Sequence, residues 1–471
     1  MAEDLVKTLL DEISKIKSEK KPIIRKNFKE EELFSFLKEQ INEDALSTES
    51  YKKLLLFYAN NTVRTDLPQF FNQLWSGFSE ASLHAEIINQ HFNSSSYTFE
   101  VAPMATIMEK IISEKIQKLI AYKEGSTGIF NPGGSFCNFQ AMLVARNIFL
   151  ENSKAEGLFG NKAIVAYVSD QAHYSYQKAV NLIGIGENNL IKVKSNELAQ
   201  MDPNELEKEI KKTIAEGKTP FFLGLTAGTT VCGAFDSIHK TQPLAKQYKL
   251  YTHVDGALGG SVLFSDKHQE LLAGIEQSDS FSFNFHKMLG VSLQASLLIF
   301  NGDRKIQENC HVEKSSSDYL FHDKDSEYDL GKNSLQCGRK ADSLKAFLEW
   351  SQVGSSGFEK RIDHFFNLAK YTEEKVKKHP QLNLLCPVQS TNICFQFFRE
   401  ENENTESKNK LNFEIRKRLV EDGNFLVNKA FVGDELCIRL IILNKETQEH
   451  HIDDLFQKLE EIYLQVKETK Q

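Results

Sequence analysis

The chain has 471 residues, a net charge of -8 and 41% hydrophobic residues. At roughly 150 residues per unit, that length suggests about three structural units with a substantial apolar core. The mild acidity argues against nucleic-acid binding on a basic face, and no segment approaches the ~18 uninterrupted apolar residues of a membrane span.

The chain starts "MAEDLVKTLLDEISKIK". This stretch is acidic at its start and lacks the continuous apolar run of a signal peptide. Leu5, Leu9, Ile13 and Ile16 fall on one helical face, so an amphipathic helix that needs a partner surface is expected. Residues 1–95 read as mainly helical. The cysteines at 137, 232, 310, 337, 386, 394 and 437 are scattered, odd in number and without CxxC spacing. They read as thiols of a reducing compartment, with no disulfide framework and no metal site, and the expected location is the cytoplasm.

From about 100 to 300 helical patterns alternate with short β-rich runs. "NKAIVAYVSD" (161–170), "TPFFLGLTAG" (219–228), "LYTHVDGAL" (250–258) and "SFSFNF" (280–285) are predicted strands, separated by polar helical stretches such as 202–218. That alternation implies a mostly parallel sheet covered by helices on both faces. Beyond 330 the strand signal fades. Residues 341–354 and 358–380 are predicted helices, and the tail reads β, loop, helix, β, helix, which makes a second, smaller α+β domain. The expected organisation is a helical segment at 1–95, a large α/β domain at 96–345 and a small domain at 346–471.

In a doubly wound sheet, ligands bind outside the carboxyl ends of the strands. Several residues converge there. "GIFNPGGSFCNFQAMLVARN" (128–147) carries a glycine pair and Ser135 at a helix start, where backbone N–H groups and the helix dipole suit a phosphate. His173 follows a strand in "SDQAHYSYQ". Asp255 ends another in "HVDGALGG", where a carboxylate is costly unless it meets a cation. Lys287 lies in "SFNFHKMLG", among aromatic, small and apolar residues. Singly, each has a bland reading: a turn, a loop histidine, a snorkelling lysine. Together they match the needs of pyridoxal phosphate: a lysine for the Schiff base, a carboxylate for the pyridine nitrogen, flat ring contacts and a phosphate anchor.

With these residues in place, the sequence resembles the pyridoxal-phosphate-dependent group II amino-acid decarboxylases, in particular the glutamate and cysteine sulfinate decarboxylase branch. "FFNQLWSG", "YTFEVAP", "GIFNPGGS", "GTTVCGAFD", "HVDGALGGSVL", "NFHKMLG", "YLFHDK", "LQCGRKAD" and "GFEKRID" occur in the order that branch shows, from about residue 60 to the C-terminus.

The resemblance implies a fold-type I enzyme with a seven-stranded sheet in its large domain. It implies that Lys287 forms the Schiff base, Asp255 pairs with the pyridine nitrogen, and His173 and Ala257 lie on the two ring faces. Gly134, Ser135 and Asn284 would hold the phosphate, Thr230 would bond near the ring hydroxyl, and His286 would adjoin the cofactor. Tyr319, on a mobile loop, would reprotonate the substrate carbon. Gln73, Trp75 and Tyr97 would line the side-chain pocket, and Arg439 would bind a substrate carboxylate. Arg439 also stands out by itself: in "CIRLIILN" a guanidinium shares a strand face with Cys437, Ile441 and Leu443 and wants an anion, either a substrate or a structural ion pair. A homodimer with sites at the interface is implied too, with the N-terminal segment contacting the partner.

Three positions depart from the family pattern. Phe285 replaces the proline before the His-Lys pair, and the usual "HVDAAWGG" carries Gly256 and Leu258. The expected activity is α-decarboxylation of a short acidic amino acid, cysteine sulfinate or aspartate, because Trp75 fills volume that the extra methylene of glutamate would need. Glutamate decarboxylation is the alternative within the family, and an inactive cofactor-binding partner or a binding protein the alternative from another class.

Overall fold

The computed structural model describes residues 2–18, 23, 29–41, 44–302, 309–310, 319–321 and 327–468. These residues form the strands β1 (Phe70–Phe71), β2 (Thr127–Asn131), β3 (Ile164–Ser169), β4 (Leu190–Val193), β5 (Thr219–Thr226), β6 (Tyr251–Gly256), β7 (Ser280–Asn284), β8 (Ser296–Phe300), β9 (Leu382–Leu384), β10 (Asn392–Phe397), β11 (Leu426–Val432) and β12 (Glu435–Ile441). The chain divides into two units, Phe78–His379 with Leu384–Phe395, and Met1–Gly77 with Pro380–Asn383 and Gln396–Gln471.

The larger unit contains a seven-stranded sheet in the order β2-β8-β7-β6-β5-β3-β4. Strands β4, β3, β5, β6 and β7 run parallel, whereas β8 is antiparallel to both β7 and β2. All four strands expected from the apolar runs are present, and every residue of β3, β7 and β8 is buried. Burial on both faces explains why these strands read as continuous apolar runs. On one face Ile164, Ala166 and Val168 pack with Met142 and Ala145 of the helix Gly134–Phe149. On the other, Val165 and Tyr167 join Ile112, Ile116, Leu206 and Ile210 from the helices Pro103–Ile120 and Pro203–Ala215. Alternate residues of one strand thus serve two cores, as a period of two requires.

The segment Asp342–Lys378 is helical on both sides of Gly354, whose φ of +69° breaks the helix between the two predicted halves. It packs on the helices Glu80–Phe92 and Pro103–Ile120. That packing groups residues up to His379 with the larger unit, a different grouping from the boundary at 345 read from the sequence. Residues 1–77 likewise group with the C-terminal segment, where a separate segment ending at 95 was expected.

In the smaller unit β11 and β12 form an antiparallel hairpin that sets Asn428 opposite Arg439. β1 lies parallel along β11, with Phe70 opposite Leu426. The helix Thr405–Asp422 buries Leu411, Ile415 and Leu419, and Glu449–Glu468 buries Ile452, Leu455 and Leu459. The expected amphipathic helix forms as Ala2–Ser18 and packs against Thr48–Asn61. Among the described residues no helix is long and apolar enough to cross a membrane.

Candidate active site

Lys287 stands in the connection between β7 and β8, just past the carboxyl end of β7. It is half-buried, flanked by the fully buried Phe285 and Met288 and by His286. Its ammonium acts electrostatically on both Asp255 and His173, so the three groups form one cluster.

Asp255 ends β6 and is 5% exposed. Its Oδ2 accepts a 2.7 Å hydrogen bond from Asn138 Nδ2, and its Oδ1 accepts from Ala257 N at 3.0 Å and Ser282 Oγ at 3.4 Å. Burial works to raise its pKa, but the Lys287 ammonium and the Asn138 donor hold it below the ordinary carboxylate range. The carboxylate is therefore ionised, within the field of the Lys287 ammonium.

A polar ladder supports it. His253 and Asp255 share one face of β6, and their partners across the sheet on β7 are Ser280 and Ser282. Asn138, one turn into the helix that begins at Gly134, bridges the ladder. A carboxylate only accepts, so Nδ2 of Asn138 faces Asp255 and its Oδ1 faces His253 Nε2 at 3.0 Å. His253 thus carries its proton on Nε2, and Nδ1 accepts from Ser280 Oγ at 2.8 Å. Burial lowers the pKa of His253, in keeping with a neutral ring.

His173 lies in the loop after β3. Ser175 N donates to its Nδ1 at 3.2 Å, leaving Nε2 to carry the proton. Burial, with the charges of Lys287 and Lys178, pulls its pKa down against the opposing pull of Asp255. The ring is a neutral, flat surface at pH 7. His286 is buried and neutral as well: burial and the Lys287 charge bring it down to about 4.

Gly133 has φ +97°, a conformation that favours glycine, and turns the chain into the helix Gly134–Phe149. A β-carbon on Gly134 would lie 3.1 Å from Asn284 Nδ2 and 3.2 Å from Ala257 Cβ, so only a glycine leaves this corner open. Asn284 Oδ1 is buried and has no hydrogen-bond partner. A helix start with free backbone N–H groups and an open corner faced by the donor Nδ2 of Asn284 fit the phosphate end of pyridoxal phosphate. The ionised Asp255 fits its pyridinium nitrogen.

Thr230 is half-buried in the loop after β5 and its carbonyl accepts from Asn392 Nδ2 at 3.1 Å. Ser135 is exposed at the helix start. Tyr97 packs against Gly331 and lies 5.3 Å, ring to ring, from Phe321; burial raises its pKa, and the charges of Cys337 and Tyr319 add to the effect. Tyr319 itself is 73% exposed. Most of its neighbours in sequence lie outside the described residues, and with them the loop expected there.

In the smaller unit, Arg439 is buried and its Nη2 donates to Asn72 O at 3.2 Å. Gln73 is exposed, and Trp75 is half-buried with its ring 5.9 Å from Phe70. The larger unit thus brings together Lys287, Asp255, His173, Ala257, Gly134 and Asn284. Asn138, His253 and Ser282 join them although the sequence reading did not single them out. Their signal was positional: Asn138 lies four residues after Gly134, and His253 lies two before Asp255.

The three departures are packed tightly. Phe285 is fully buried, 5.8 Å from Phe130 and 4.7 Å from Phe283 by ring centroids. Leu258 is 1% exposed. A β-carbon on Gly256 would lie 2.7 Å from Phe281 Cζ and 2.9 Å from Ser282 O.

Known proteins share this architecture. The chain is 34% identical over 443 residues to the mouse protein named acidic amino acid decarboxylase GADL1, covering 92% of this chain and 80% of that one. It is 35% identical over 412 residues to human cysteine sulfinic acid decarboxylase, covering 85% and 83%. The apo crystal structure of mouse CSAD superposes with a TM-score of 0.91 at 31% identity, over 97% of this chain and 98% of that one. A rice TDC structure with PLP and tryptamine shares the fold, with a TM-score of 0.90 at 20% identity over 99% and 97% of the two chains. Residues 37–398 match the pyridoxal-dependent decarboxylase conserved domain, and the chain belongs to that family.

Proposed function

We propose that this protein is a pyridoxal-phosphate-dependent α-decarboxylase of a short acidic amino acid, with cysteine sulfinate or aspartate preferred to glutamate. The observation that carries the reading is the buried, ionised Asp255 in the electrostatic field of Lys287. When bound, the cofactor supplies an electron sink for the pair left on Cα as CO2 departs.

The chain's own residues then have separate tasks. Lys287 holds the cofactor through its amine and yields to the substrate amine. Asp255 keeps a proton on the pyridine nitrogen. His173 and Ala257 present flat contacts to the ring, and Gly134, Ser135 and Asn284 hold the phosphate, with His286 alongside. Thr230 bonds near the ring hydroxyl. Tyr319 delivers a proton to Cα. Arg439 takes the distal acid group of the substrate, with Gln73, Trp75 and Tyr97 setting the length of side chain accepted. The names of the relatives at 34–35% identity favour an acidic substrate.

We also infer a cytoplasmic homodimer. In the larger unit Ile88, Phe92, Val101 and Met104 line one surface depression and are 45%, 71%, 59% and 65% exposed. An apolar patch of this kind favours an interface.

The test is CO2 release from cysteine sulfinate, aspartate, glutamate and an aromatic amino acid, with pyridoxal phosphate added. The short diacids should have the highest kcat/KM. Preference for the aromatic substrate, or no CO2 from any of the four, would overturn the reading.

A further inference from the structure

Cys232, Cys386 and Cys394 lie together in the larger unit. All three are buried, at 1%, 8% and 0% exposure, and the Cys386 and Cys394 thiols hydrogen-bond to Cys232. The first sits in the loop after β5; the other two belong to the segment Leu384–Phe395.

The loop is tightly built. Gly228 N and Thr229 N both donate to Ala234 O, Gly233 N donates to Thr229 O, and Ala234 N donates to Thr229 Oγ1 at 3.0 Å. It is also clamped from β10: Asn392 Nδ2 donates to the carbonyls of Thr229, Thr230 and Val231, at 3.4, 3.1 and 3.1 Å, and Cys394 Sγ donates to Val231 O at 3.3 Å. Three thiols thus meet where this segment grips the loop that carries Thr230.

We propose that this cluster is an oxidisable thiol site, in which a peroxide joins Cys232 to Cys386 or Cys394 and thereby deforms the loop that holds Thr230. The neighbouring Cys386 and Cys394 thiols hold the Cys232 pKa below the ordinary thiol range, which favours the nucleophilic form. The Cys232 thiolate attacks one peroxide oxygen; the O–O bond breaks and the leaving hydroxide takes a proton to become water. The neighbouring thiol then attacks the sulfenic sulfur, the S–O bond breaks, a second water leaves and the S–S bond forms. The two thiols lose a pair of electrons and a pair of protons, and the peroxide is reduced to two waters.

A disulfide needs its α-carbons about 4.4–6.8 Å apart and a narrow range of dihedral angle. A loop already held by these eight hydrogen bonds must shift to meet those demands. The effect on the cofactor rests on the proposed contact of Thr230.

The test uses the full-length protein loaded with pyridoxal phosphate and exposed to hydrogen peroxide. Peptide mapping should show a Cys232 peptide cross-linked to Cys386 or Cys394, lighter by a pair of hydrogens. Bound cofactor should be lost in parallel, and dithiothreitol should restore it. Cys232→Ser should form no such link and should keep its cofactor under the same treatment. Cys232 remaining alkylatable while the exposed Cys337 is oxidised would overturn the site. A cross-link without cofactor loss would overturn its coupling to the loop. Failure of the reduced protein to bind pyridoxal phosphate would overturn the functional reading and leave the cross-link map intact.

Discussion

Asn138 donates to Asp255 at 2.7 Å while its other side-chain atom faces His253, so one amide orients the carboxylate and, after Lys287, helps to keep it ionised. A hydrogen bond to a charged group contributes about 1.5–3 kcal/mol. Asn138→Ala should raise the Asp255 pKa and lower kcat roughly 10- to 100-fold, since each 1.36 kcal/mol is a factor of ten. Asn138→Asp should be worse, because a second carboxylate beside Asp255 disfavours ionisation of both. The pH dependence of cofactor absorbance and of kcat checks this; an unchanged pH profile in both variants would remove Asn138 from the site.

Lys287→Ala should abolish multiple-turnover decarboxylation and the visible absorbance of the covalently held cofactor. Lys287 is half-buried outside the sheet core, so the far-UV circular dichroism should be unchanged. Sustained CO2 release by this variant would exclude the lysine.

Acid should destabilise the protein between about pH 6.5 and pH 4. Burial and the Lys287 charge hold His286 near 4, against about 6.5 when unfolded, and burial lowers His253 in the same direction. In that window the unfolded chain binds more protons, so stability rises with pH and is lost as pH falls. Asp236 has the opposite sign: burial pushes it up to about 6, so between about 3.9 and 6 the native state binds the extra proton. His286 and Asp236 each span about two units, about 3 kcal/mol apiece. Burial also lowers His173, His268 and His451, which adds to the first sign, and raises Glu109 and Asp342, which adds to the second, so the more numerous histidines set the net direction. Thermal unfolding across this range should show Tm falling with pH, and His286→Gln should flatten the slope. A flat profile in the native protein would show that these rings protonate without unfolding it.

Trp75→Ser should shift preference toward glutamate. One methylene in a pocket is worth about 1–3 kcal/mol, so the native ranking should be strong but leaky. The measurement is kcat/KM for cysteine sulfinate, aspartate and glutamate in both proteins. An unchanged ranking would mean that the indole packs on Phe70 without bounding the substrate.

The sheet was legible where strands are buried on both faces. "IVAYVS" and "FFLGLT" leave little choice but a central strand, and both formed. Strand β8, "SLLIF", is just as apolar, but the sequence reading did not single it out. Lys287 and Asp255 were legible because charge among apolar residues demands an explanation. Asn138 was not: a polar side chain on a helix ordinarily faces solvent, and only the fold shows that this face lies over β6 and β7. Arg439 was expected on one strand face, but six of the seven residues of β12 are buried, so alternation there does not separate inside from outside.

The fit of Gly256 against Phe281 limits how this chain can exchange parts with its relatives. The resembled pattern has alanine at position 256, where a β-carbon would run into the Phe281 ring on the neighbouring strand. Overpacking of this kind costs about 1–3 kcal/mol. Gly256→Ala should therefore destabilise this protein although it restores the common residue, and a smaller side chain at 281 should rescue it. A chimaera that takes β6 from a relative but keeps β7 inherits the clash, whereas one that takes both does not.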